Sequence, residues 1–214
     1  MASSFTTILL VRHGNTATTG TVLPGRAPGL HLSETGKRQA EAVAERISEL
    51  GHKPAAIYVS PLERAKETAA PIAKALKIRP IIERGLLECD FGTWTGKKLA
   101  VLRVKKEWRA VQNAPSTFRF PEGESFTEMQ LRMWTTLERL AKKHRGKTIV
   151  VVSHADPIKA AVTYAQGVPL DLFQRTVIST CSVSAITFSD TTPIVLTVNN
   201  TGSLRTSLLH ELRL

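Results

Sequence analysis

A chain of 214 residues with 42% hydrophobic and 22% charged side chains has the balance of an ordinary globular domain, which excludes intrinsic disorder for its bulk; one domain over residues 1–214 is expected. Lys and Arg total 29 against 18 Asp and Glu, a net charge of +11 spread along the chain with one dense stretch at 97–109 (KKLAVLRVKKEWR), read as a solvated face; steering of anionic small molecules is the alternative, and no nucleic-acid partner is expected. Two cysteines, Cys89 and Cys181, are too few for a disulfide framework, no apolar run approaches the ~18 residues of a membrane span, and the opening MASSFTTILLVRHG lacks the marks of a secretory leader, so a cytoplasmic protein without a membrane partner is expected.

Residues 7–12 (TILLVR) form a continuous run rich in branched side chains, ended by Gly14, and predict a buried strand. Ser33 is a plausible N-cap for a helix carrying Ala40, Val43, Ala44, Ile47 and Leu50 at helical spacing, stopped by Gly51. Residues 55–60 (AAIYVS) predict a second buried strand; Pro61 suits the first turn of a helix to about Leu76, which Pro71 would kink. A weaker strand over 79–83 leads into an irregular, glycine-rich stretch at 85–96, then a helix to about Gln112 and a loop over 113–123. Residues 124–143 predict a long amphipathic helix with Phe126, Met129, Met133, Leu137 and Leu140 as its apolar stripe. Residues 148–153 (TIVVVS) read as the most buried strand, a helix resumes near Pro157, and the runs 182–188 and 194–198 flank the turn SDTTP as a hairpin. From Gly202 on no element is clear.

Strands alternating with helices predict a three-layer α/β/α sandwich around a mostly parallel sheet with an antiparallel edge strand. Ligands in such sheets bind beyond the carboxyl ends of the strands, so the chemistry belongs to the residues that follow each buried strand. The first strand delivers Arg12 and His13, the second Ser60 and Arg64, and the strand at 148–153 delivers His154, Ala155 and Asp156. A single strand-end histidine is more often a hydrogen-bonded structural residue. Two histidines and two arginines at one sheet edge instead make a cationic pocket with a nucleophile inside it, suited to phosphate oxygens. A metal site fits poorly, because Arg12 and Arg64 would repel a cation and only Asp156 and Glu88 are anionic nearby.

Five ordered motifs cover the chain from Leu10 to Ile158: LVRHGNT at 10–16, SPLERAKETA at 60–69, ECDFGTWTG at 88–96, PEGES at 121–125 and VVVSHADPI at 150–158. Together they resemble the histidine phosphatase superfamily, which includes cofactor-dependent phosphoglycerate mutases and many phosphomonoesterases. The resemblance implies that His13 becomes a phosphohistidine and that Arg12, Arg64 and His154 hold the phosphoryl oxygens. It implies that Glu88 is the general acid and then the base, with no metal and no cofactor. Asn15 and the backbone at Ala155 are expected to add hydrogen bonds to the substrate, a small phosphorylated metabolite. Arg26 is placed with the specificity loop at 17–31. Phe91, Gly92 and Trp94 are expected to shape the loop that carries Glu88.

Two positions depart from the pattern. Asn15 stands where the family often has Glu or Gln, and Ala155-Asp156 follows the second histidine where many members have Gly. Asp156 brings negative charge close to a phosphate pocket; it reads either as the N-cap of the helix at Pro157 or as a contact to a hydroxyl or amine of the substrate. Mutases of the family resemble one another by Arg after the catalytic Glu and Tyr two residues further on, with a longer insertion. Here Cys89 and Phe91 stand in those places, which favours a phosphatase over a mutase, and the presence of both His13 and Glu88 disfavours a non-catalytic binding module.

Overall fold

The computed structural model describes residues 5–205. Six strands form one sheet: β1 (Thr6–Arg12), β2 (Ala56–Val59), β3 (Ile81–Ile82), β4 (Thr148–Ser153), β5 (Val183–Phe188) and β6 (Ile194–Asn200), in the order β3-β2-β4-β1-β5-β6. The pairs β3–β2, β2–β4 and β4–β1 are parallel. The antiparallel part is the β5–β6 hairpin, with β5 against β1 and β6 outermost. Central β1 and β4 are buried on both faces, which explains their unbroken apolar runs. At the opposite edge, β3 is only two residues long and exposed.

Alternation along β1 divides the core. Leu9 and Val11 face α1 (Glu34–Ser48) and α2 (Glu63–Leu76), in a cluster with Val43, Ile47 and Ile72. Ile8 and Leu10 face α5 (Phe126–Lys143) and α6 (Ala155–Ala165), with Met133, Leu137 and Ile158. A third, aromatic cluster joins Phe91, Trp94, Phe120, Phe126 and Phe173 beneath the irregular segment that contains Glu88.

Several local expectations change. The helix expected up to Gln112 is two short ones, α3 (Leu99–Arg103) and α4 (Trp108–Asn113). Pro61 lies before α2, whose N-cap position is Leu62, and α2 continues through Pro71. Helix α6 begins at Ala155 with His154 in the N-cap position, so Asp156 sits inside the first turn rather than capping a helix at Pro157. The sequence after Gly202 lies largely outside the described residues.

Candidate active site

The in-register pairing of β1 with β4 sets Arg12 opposite Ser153, so the residues that follow, His13 and His154, emerge side by side. Their ring centroids are 5.2 Å apart, and the His13 N–H donates to the Ser153 carbonyl at 3.0 Å. Strand β2 adds Ser60, whose hydroxyl pairs with His154 Nε2 at 2.8 Å. From the first turn of α2, the fully buried Arg64 reaches back to the same point. Its Nε–H donates to His13 Nε2 at 3.3 Å and its Nη2 to the Gly25 carbonyl at 2.8 Å. Arg12 is held by donation from Nη1 to the Ile178 carbonyl at 2.6 Å. The turn after His13 packs directly on the start of α1. A Cβ on Gly14 would lie 2.6 Å from the Gly36 carbonyl oxygen, and one on Gly36 would lie 2.0 Å from that of Asn15.

The state of His13 follows from its neighbours. Its Nδ1 lies 2.7 Å from the Gly14 carbonyl, which can only accept, so Nδ1 carries the proton and Nε2 the lone pair. Burial, Arg64 and Arg12 press its pKa down to about 3. The ring is therefore neutral at ordinary pH, with Nε2 directed at Arg64. His154 is likewise held well below its ordinary value, first by burial and then by Arg64.

Glu88 is 7% exposed, and its Oε1 accepts the Cys89 N–H at 2.9 Å. Burial, then the charge of Asp156, pushes its pKa up to about 7 against the pull of Arg64 and Arg12. Two arginines fix the chain around it. Arg132 on α5 donates to the carbonyls of Gly85 at 2.8 Å and Leu87 at 3.0 Å. Arg26 Nε donates to the Glu88 carbonyl at 2.8 Å. Glu124 ties both together, accepting from Arg26 at 3.0 Å and from Arg132 at 2.8 and 2.9 Å.

A cavity of about 370 Å³ opens in front of His13 and is lined also by Arg12, Glu88, Ala155, Asp156 and Lys159. Arg64 and His154 back His13 rather than line it. Among the described residues, Arg12 Nε, Arg64 Nη1 and His154 Nδ1 are buried without a hydrogen-bond partner. An unpaired buried polar group costs about 1–3 kcal/mol, and three around one imidazole suit an anion with several oxygens. Among the described residues no group of three or more His, Cys, Asp or Glu is gathered as a metal-ligand set.

A model of the histidine phosphatase superfamily, branch 1, matches residues 8–201. The chain belongs to the histidine phosphatase superfamily. It is 33% identical over 202 residues to phosphoserine phosphatase 1 of Hydrogenobacter thermophilus, covering 92% of this chain and 93% of that one. It is 36% identical over 165 residues to a metal-independent phosphoserine phosphatase of Arabidopsis thaliana, covering 74% and 68%. Among solved structures, a phosphoserine phosphatase of Entamoeba histolytica in complex with 3-phosphoglyceric acid superposes with a TM-score of 0.82 at 26% identity, over 93% of this chain and 99% of that one. This member of the superfamily is a phosphatase.

In this histidine phosphatase the five motif residues expected to act together, Arg12, His13, Arg64, Glu88 and His154, do converge. Two other expected residues do not line the cavity. The Asn15 side chain accepts from Ser33 Oγ at 2.9 Å and braces the cap of α1. Arg26 is spent on the Glu88 segment, including an ion pair with Asp90 at 3.4 Å. The sequence reading missed Glu124 and Arg132. Glu124 lay in plain view inside PEGES, whereas Arg132 is one of several arginines on an amphipathic helix and carries no local signal.

Proposed function

We propose that residues 1–214 act as one catalytic domain that hydrolyses phosphate esters of small hydroxy-metabolites through a phosphohistidine on Nε2 of His13. The names of the relatives point to phosphorylated three-carbon acids such as phosphoserine as the substrate class. In the first step the Nε2 lone pair forms a bond to phosphorus while the bond to the leaving oxygen breaks. The Glu88 carboxyl gives that oxygen its proton, so a neutral alcohol departs. In the second step a water oxygen bonds to phosphorus, its proton returns to Glu88, and the P–N electrons return to Nε2. A carboxyl with a pKa of about 7 serves both directions near neutrality.

The observation that carries this reading is the His13 ring itself, locked by Gly14 with its lone pair on Nε2 amid unpaired donors. Arg12 and Arg64 supply charge where the transferring oxygens gather it, and His154, paired with Ser60 through Nε2, keeps its buried, unpartnered Nδ1 for the site. Cys89, buried where mutases of the family carry Arg, favours transfer to water over return to a second substrate oxygen. The substrate is taken as a free metabolite of the cytoplasm, with no nucleic-acid or membrane partner; among the described residues no helix is long and apolar enough to cross a membrane. Rapid quenching with labelled phosphoserine should trap label in an acid-labile, base-stable bond, followed by release of inorganic phosphate. Label that persists in His13→Ala, or isomerisation of phosphoglycerates in place of phosphate release, would overturn the proposal.

A further inference from the structure

The catalytic steps leave one charged pair in the cavity without a task. Asp156 and Lys159 lie one turn apart on α6, both line the same cavity as His13 and Glu88, and Lys159 Nζ pairs with Asp156 Oδ1 at 3.3 Å. The side chains are only 18% and 17% exposed. Lys159 also donates to Gln174 Oε1 at 3.1 Å, so two segments of the chain fix where its charge sits. Among the described residues the other Asp156 oxygen takes no hydrogen bond, and that residue does not cap the helix.

A carboxylate in the first turn of α6 suits the helix dipole, but beside a phosphate site it repels the substrate. It lies next to Ala155, close enough to act on the charges of both Arg12 and Glu88, in a cavity that receives a phosphate dianion. A fastener between α6 and the segment of Gln174 could be built from neutral groups at less desolvation cost. An acid fixed beside a phosphate site makes sense if the substrate brings a cation to it. The neighbouring Lys159 then offers a cation to a second, anionic group on the substrate.

Resting on the phosphatase reading above, we propose that Asp156 and Lys159 are the specificity pair of this site. They select a phosphate ester whose alcohol half is an α-amino acid: the Asp156 carboxylate receives the substrate ammonium, and the Lys159 ammonium receives the substrate carboxylate. A site built to pair buried polar groups rejects an analogue that leaves them unpaired, which gives discrimination that shape alone does not.

Four esters test this, because each lacks one group or both: O-phosphoserine, 3-phosphoglycerate (hydroxyl in place of ammonium), phosphoethanolamine (no carboxylate) and glycerol 3-phosphate (neither). The wild-type enzyme should show its highest kcat/KM on O-phosphoserine. Asp156→Asn should lower the preference for O-phosphoserine over 3-phosphoglycerate by about 10- to 100-fold, the loss of one hydrogen-bonded charge. Lys159→Gln should lower the preference for O-phosphoserine over phosphoethanolamine by a similar factor. All four esters release a primary alkoxide oxygen, so an effect on Glu88 or on folding acts on them nearly alike and largely cancels in these ratios. A wild-type enzyme indifferent to the ammonium, or variants whose ratios match wild type, would overturn the proposal while leaving the phosphatase reading intact. Turnover of none of the four and none of p-nitrophenyl phosphate would instead overturn the phosphatase reading.

Discussion

A general acid matters in proportion to how badly the leaving oxygen needs a proton. An alkoxide leaves poorly, whereas p-nitrophenolate leaves almost unaided. Glu88→Gln should therefore slow single-turnover phosphorylation of His13 by phosphoserine by about 10²–10⁴-fold and by p-nitrophenyl phosphate far less. With wild-type enzyme, kcat/KM for an alkyl ester should fall as pH rises above about 7, where Glu88 loses its proton, and this limb should vanish in Glu88→Gln. Equal slowing for both leaving groups would remove Glu88 as the acid. Asp90→Asn is the control, since Asp90 accepts the Gly92 N–H at 3.0 Å and pairs with Arg26. At this scale His13, His154, Arg12 and Arg64 were legible because strand ends and dense motifs fix where a side chain starts and what lies beside it. Arg26 and Asn15 carried no such constraint, because a position in a loop says nothing about direction. Both turned toward neighbours, Glu88 and Ser33, that are distant in sequence.

At the scale of elements, the segment bearing Glu88 and the PEGES segment are one unit. The Thr93 N–H donates to the Pro121 carbonyl at 3.0 Å and the Glu124 N–H to that of Asp90 at 2.9 Å. Gly92 stands at the join with φ of 49°, and a Cβ there would lie 2.0 Å from the Pro121 carbonyl oxygen. Beside it, Ser125 caps α5 in a reciprocal box with Glu128. The two positions should respond differently. Ser125→Ala should cost about 1 kcal/mol of stability in denaturant unfolding while activity persists. Gly92→Ala adds about 1–2 kcal/mol of left-handed strain before its clash, and should depress turnover of alkyl esters by displacing Glu88. The reverse ranking of activities would mean that the join does not position the acid. The caps at Ser33 and Ser125 follow from short-range rules and were readable or nearly so. The early start of α6 at Ala155 was not, because Pro157 invites a helix start beside it while β4 and Ser60 set His154 in the N-cap position.

Across the whole molecule, topology follows from pattern: two-sided apolar runs give β1 and β4 the centre, and helices cover both faces. The placement of β5 antiparallel against β1, with β6 outside it, could not be read from a hairpin signal alone, which fixes two strands to each other but not to the sheet. Function leaves a mark on global stability too. An ordinary carboxyl titrates near 4.5, while Glu88 holds its proton to about 7 in the fold, so folding binds a proton between those values. Stability from this group is present at low pH and is lost as pH rises through about 7. Glu88→Gln removes that dependence, so its melting temperature relative to wild type should be higher at about pH 8 than at about pH 5. An unchanged difference would mean that Glu88 titrates normally.

All of this turns on one nitrogen. Phosphoenzyme trapped from protein carrying ¹⁵N-labelled histidine can be read by nitrogen–phosphorus coupling in NMR. A single phosphorylated ring, absent in His13→Ala, with phosphorus on Nε2 and the proton retained on Nδ1 beside the Gly14 carbonyl is the expected result. Phosphorus on Nδ1, or on His154, would contradict it.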